Sequence, residues 1–135
     1  MVVSSSTNSN RRFVNITEKC NLIEKTSNYS IYEFEVTEEN LNLNKTLHGG
    51  CTSTILEFCM KNAVANESER KVITVDFCIS FLNAAKLGDI LEIKIFILKE
   101  GRTLGFVNAE IYRKSDKKII AIGKETIAFS VVSKL

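Results

Sequence analysis

From Tyr29 onward, Tyr32, Phe34 and Val36 alternate with Glu33 and Glu35, the two-residue period of a strand with one buried face. Cys20 to Glu24 reads as its hairpin partner across Lys25-Thr26-Ser27-Asn28, a composition that suits a turn because hydroxyl and amide side chains bond nearby backbone. The polar stretch 37–46, with Asn40, Asn42 and Asn44, reads as a loop. Between His48 and Asn66, Cys51, Ile55, Leu56, Cys59, Met60, Ala63 and Val64 recur at intervals of three and four, which predicts a helix of about five turns with a broad buried face. Thr46 stands at its expected N-cap, and Asn66-Glu67-Ser68-Glu69 ends the periodicity.

Four strand-like runs follow: Val72 to Leu82, Ile90 to Leu98, Thr103 to Arg113 and Lys118 to Phe129. In the first, the alternation places Ile73, Val75, Phe77, Ile79 and Phe81 on one face, opposite Thr74, Asp76, Cys78 and Ser80. The short connections later in the series predict antiparallel hairpins, since parallel neighbours need a crossover of about a dozen residues. The chain thus reads as α+β, an antiparallel sheet wrapped around one long central helix, with no βα alternation. We expect a single domain over 14–135, preceded by a Ser- and Asn-rich tail over 1–13 read as disordered; a short transit peptide is the competing reading of its Arg11 and Arg12.

Composition narrows the function by exclusion. A formal charge of +2, with acids interleaved among the bases from Glu18 to Glu125, speaks against a nucleic-acid partner. No apolar run reaches the ~20 residues that span a bilayer. Cys20, Cys51, Cys59 and Cys78 show no C-x-x-C spacing and have one histidine to join them, so neither a metal nor a bound cofactor is expected. The cysteines read as reduced thiols packed as small hydrophobes in an intracellular protein, cytoplasmic, with the mitochondrion as the alternative.

Three places can carry chemistry. Leu47-His48-Gly49-Gly50-Cys51 opens the helix, where backbone N–H groups lack intrahelical partners and the dipole favours a developing oxyanion; the plain alternative is that Gly49 and Gly50 only allow tight packing. His48 lies in no Ser-His-Asp, Cys-His or G-x-S-x-G context, so a structural or ligand-packing role is expected. Glu57 stands among Leu56, Phe58, Cys59 and Met60, a carboxylate able to serve as base or nucleophile. Its plain alternative is an i,i+4 surface pair with Lys61, worth about 0.2–0.5 kcal/mol.

Asn42 ahead of Thr46-Leu47-His48-Gly49-Gly50, Val75-Asp76, Ala84-Ala85-Lys86-Leu87-Gly88-Asp89 and Lys99-Glu100-Gly101-Arg102-Thr103-Leu104 together resemble the hotdog-fold acyl-CoA thioesterases, most closely the thioesterase superfamily member 2 (acyl-CoA thioesterase 13) type. The resemblance runs from about Glu38 to Phe129. It implies a hotdog fold, an acyl-CoA substrate with medium to long chains favoured, a homodimer joined sheet edge to sheet edge with active sites at the interface, and a tetramer built as a dimer of dimers. It also implies that the Gly49 N–H polarises the thioester carbonyl, that Asn42 helps hold the carbonyl or the water, that Glu57 activates the water, and that a Thr74 hydroxyl from the partner subunit orients it. His48 and Gly50 would border the substrate, and Lys86, Lys99, Arg102 and Lys124 are the candidates for the phosphates of coenzyme A. The relatives in view carry Asp in place of Glu57 and Ser in place of Thr74, changes that keep each functional group while lengthening the carboxylate's reach by about 1.5 Å. The competing class is a non-catalytic acyl-CoA- or lipid-binding hotdog module; a hotdog hydratase is disfavoured because His48 lacks the local signature.

Overall fold

The computed structural model describes residues 15–64 and 70–131, with the backbone alone at Val131; the tail read over 1–13 and the helix stop read at 66–69 lie outside the described residues. The elements are β1 (Asn21–Lys25), β2 (Tyr29–Glu35), α1 (Gly49–Val64), β3 (Arg70–Phe81), β4 (Ile90–Glu100), β5 (Leu104–Arg113) and β6 (Ile119–Val131). A 3-10 turn, Glu38–Asn40, interrupts the loop read over 37–46.

The six strands form one antiparallel sheet in the order β1-β2-β4-β5-β6-β3. Consecutive strands β4, β5 and β6 pair as hairpins, whereas the chain leaving α1 crosses to the far edge, where β3 pairs with β6. α1 lies against β2 through β6, giving the hotdog arrangement of a sheet curled around a helix. All seven apolar helix positions read from the sequence are buried, with Thr52 beside them. They meet Phe34, Leu91, Ile93, Ile95, Val107, Ile111 and Ile127 in one core, where each fully buried Leu, Ile or Phe contributes about 1.5–3 kcal/mol. The helix packs tightly on the sheet at Gly123, where a Cβ would stand 3.2 Å from Leu56 Cδ1.

Two local expectations are corrected. The N-cap is His48, not Thr46: His48 Nδ1 accepts the Gly50 N–H at 2.8 Å, while Thr46 is engaged with Asn42. In β3 a bulge at the unpaired Val75 shifts the register between Thr74 and Asp76, so one residue is skipped and the alternation changes phase. Ile73 and Val75 are therefore exposed, while Val72, Phe77 and Ile79 are partly buried against the core. The same bulge leaves Thr74 opposite Ile127 and Phe77 opposite Glu125, facing inward with them. Cys78 is likewise exposed, unlike buried Cys20, Cys51 and Cys59.

Candidate active site

Two places on α1 hold the expected chemistry. At the N-terminus, the Gly49 N–H sits at the first helical position and has no intrahelical acceptor available by position. The Gly50 N–H is taken by His48, and a Cβ on Gly50 would lie 3.0 Å from Nδ1 and 3.2 Å from Cε1 of that ring. Gly50 thus serves the cap, while Gly49 lines the adjoining cleft. This cleft of about 400 Å³ is lined by Leu47, Gly49, Thr52, Phe81, Leu82 and Ile120 among others.

Asn42 closes the loop leading to this cleft. Its Oδ1 accepts the N–H groups of Asn44 (2.9 Å) and Thr46 (3.0 Å), and its Nδ2 donates to Thr46 Oγ1 at 2.9 Å. The loop following β3 forms the other wall. Asp89 Oδ2 accepts the Lys86 N–H at 2.8 Å and an Arg113 Nε–H at 3.0 Å, and Arg113 Nη2 donates to the Ala84 carbonyl. This network is the structural reason for the Ala84–Asp89 motif.

Farther along the helix, Glu57 is the second place. Its side chain is 42% exposed and pairs with Lys61 at 2.8 Å, as the surface reading expects. Its other neighbour is Thr74 of the same chain, whose Oγ1 lies 3.4 Å from Glu57 Oε1 and 2.6 Å from Glu125 Oε1. Glu125, on β6, is 2% exposed, and its Oε2 has no hydrogen-bond partner among the described residues. Burial pushes the Glu125 carboxyl above the usual range; Thr74's hydroxyl opposes this, the Glu57 charge adds to it, and Lys61 opposes it.

The sequence reading missed Glu125. The signal available was parity: Glu125 shares the alternation of Ile127 and Phe129 along β6, and a carboxylate on a buried strand face is costly unless it has a purpose.

The four basic candidates do not converge within one chain. Lys86 bridges Thr46 near the start of α1. Lys99, near the end of β4, and Arg102, in the β4–β5 turn, lie by the Arg70–Glu100 ion pair that ties this end to the start of β3, the strand that follows the C-terminal end of the helix. Lys124 alternates with buried Glu125 and points to the outer face of the sheet, where it borders Ser80, Phe96 and Asn108. Among the described residues no group of three or more His, Cys, Asp or Glu side chains is placed to hold a metal, and no helix is long and apolar enough to cross a membrane.

With this geometry in view, comparison with known proteins identifies the scaffold. The sequence model of the thioesterase superfamily matches residues 44–120. The chain belongs to the thioesterase superfamily. As a member it is a thioester hydrolase. It is 38% identical over 128 residues to "Putative esterase F42H10.6" of Caenorhabditis elegans, covering 94% of this chain and 73% of that one. It is 33% identical over 117 residues to acyl-coenzyme A thioesterase 13 of Homo sapiens, covering 86% and 84%. The crystal structure of zebra fish thioesterase superfamily member 2 superimposes with a TM-score of 0.80 at 27% identity, over 96% of this chain and 99% of that one. The matched span of this thioesterase contains Gly49, Glu57 and Thr74, while Asn42 and Glu125 lie outside it.

Proposed function

We propose that this thioesterase hydrolyses fatty acyl-CoA, medium to long chains favoured, to free acid and coenzyme A. Glu57 activates the water and the Gly49 N–H receives the oxyanion. The observation that carries the reading is a half-exposed helix carboxylate with the Thr74 hydroxyl beside it on a thioesterase scaffold. In the reaction Glu57 takes a proton from water as the water attacks the thioester carbon. Collapse of the intermediate then expels the thiolate, which leaves readily because a thiol has a pKa near 8.5, while N–H donors fixed in advance stabilise the oxyanion at little reorganisation cost.

One chain does not supply both halves at one carbonyl. Gly49 and Glu57 are eight residues apart, about 12 Å along the helix, whereas a base and an oxyanion donor acting on one carbonyl sit within a few ångströms of it. A second copy resolves this if Glu57 of one protomer meets Gly49 of its partner. β3, an edge strand of 12 residues with Ile73 and Val75 exposed, supports a homodimer through edge pairing, since such an edge offers unpaired backbone groups. Leu98, Phe106 and Ile122, exposed on the outer face of the sheet, support a dimer of dimers. In that assembly Thr74 orients the water from the same chain as Glu57, rather than from the partner. Lys86, Lys99, Arg102 and Lys124 meet the phosphates of coenzyme A only if different subunits contribute them. Four free cysteines support a reducing compartment, cytoplasm or mitochondrion.

The second reading, a non-catalytic acyl-CoA-binding module, is favoured by the Glu57–Lys61 pair. Thiol release from short, long and aromatic acyl-CoAs by wild type and Glu57→Gln separates the two. Release lost in the variant establishes the mechanism, whereas ligand binding without release in the wild type assigns the chain to the binding module.

A further inference from the structure

Glu125 is the one charged residue among the buried core of the described chain, and it faces the same hydroxyl as Glu57. A hydroxyl has one proton to give and lone pairs with which to accept. If Thr74 donates to Glu125, an oxygen lone pair is left facing the Glu57 carboxylate. If the Glu125 carboxyl carries the proton, it donates to Thr74 Oγ1 across the 2.6 Å contact, and Thr74 donates onward to Glu57. Only the second order makes both Thr74 contacts hydrogen bonds at once.

We propose that Glu125 is a positioning residue for Glu57: its protonated carboxyl donates to Thr74 Oγ1, so that the Thr74 proton is aimed at Glu57 Oε1 and holds that side chain toward the water. The inference rests on Glu57 being the base, as proposed above. Its surroundings suit the role. The charged groups acting on Glu125 are Glu57 and Lys61, both on α1. From the strands it faces Thr74 and Phe77 of β3 and Val107 of β5, none of them charged. A neutral acid is the form that this apolar wall tolerates, and Lys61 pairs with Glu57 opposite it at 2.8 Å. The 3.4 Å Thr74–Glu57 separation is long, as catalytic hydrogen bonds often are before ligand binds.

The test compares Glu125→Gln, whose amide N–H can still donate to Thr74, with Glu125→Met, which cannot. Glu125→Gln is expected to retain kcat within about threefold. Glu125→Met is expected to lose about 10- to 100-fold in kcat at nearly unchanged KM, the scale of a catalytic group displaced by ~1 Å or less. Wild type should also show an infrared carbonyl band of a neutral carboxylic acid that persists above the ordinary carboxyl range of pH and is absent in Glu125→Gln. Equal loss in both variants, wild-type kcat in Glu125→Met, or absence of that band overturns the proposal. The band needs no turnover, so an inactive wild type, or an active Glu57→Gln, refutes the general-base reading separately.

Discussion

Glu57 on α1 and Glu125 on β6 reach one hydroxyl, Thr74 Oγ1, at 3.4 Å and 2.6 Å respectively. The two carboxyls differ in what surrounds them. Glu57 is half exposed and paired with Lys61, whereas Glu125 is closed in by β3, β5 and the helix. Burial pushes the Glu125 carboxyl toward its neutral form, the form in which it can donate to the shared hydroxyl.

Stability follows from that difference. Burial raises the Glu125 carboxyl above its usual 4.5 in the folded chain, so the folded state holds this proton more tightly than the unfolded state does. Its contribution is present in full below about 4.5 and is lost as pH rises through the folded value. Urea midpoints measured from pH 4 to pH 8 should therefore fall more steeply for wild type than for Glu125→Gln. Parallel curves would show that the carboxyl titrates alike in both states.

The cap at His48 predicts a stability change with a local origin. Removing Nδ1 in His48→Ala leaves the Gly50 N–H without its acceptor and should cost about 0.5–2 kcal/mol in thermal or urea unfolding. Gly50→Ala should produce a similar loss by a different route, because its Cβ would press on the His48 ring.

Gly88 holds φ at +87° in the loop after β3, where its N–H donates to the Val36 carbonyl. Gly88→Ala forces a side chain into the left-handed region and should destabilise the protein by about 1–2 kcal/mol. Because the same loop walls the Gly49 cleft, KM should rise as well.

The cysteines should separate by reactivity. Burial pushes the Cys51 thiol up to about 12 and raises Cys59 as well, so neither forms an appreciable amount of thiolate at neutral pH. Cys78, exposed on β3, should be the first of the four alkylated by iodoacetamide in the native protein, as mass spectrometry of digested samples will show. Rapid native labelling at Cys51 or Cys59 would contradict the packing of the core.

Local order was legible in the chain because it depends on periods that a sequence writes directly. The three-and-four spacing from Cys51 to Val64 gave the helix and its buried face, and alternating runs with polar breaks gave the strands and the β4–β5–β6 hairpins. The residue pattern from Asn42 to Leu104 further indicated the hotdog family. The failures were cases in which a partner distant in sequence decides. Thr46 looked like the cap because it is a hydroxyl residue ahead of the helix, but Asn42 occupies it and His48 folds back instead. The β3 alternation changed phase because pairing with β6 leaves Val75 as a bulge. That bulge brings Thr74 inward, and the long crossover of β3 to the far edge sets it beside β6. Residues 57, 74 and 125 meet only because sheet pairing and helix packing override their distance along the chain, and no local period records such a meeting. The sequence by itself determined the elements, the family and the candidacy of Glu57; the tertiary structure decided that Glu57 shares the Thr74 hydroxyl with a buried acid.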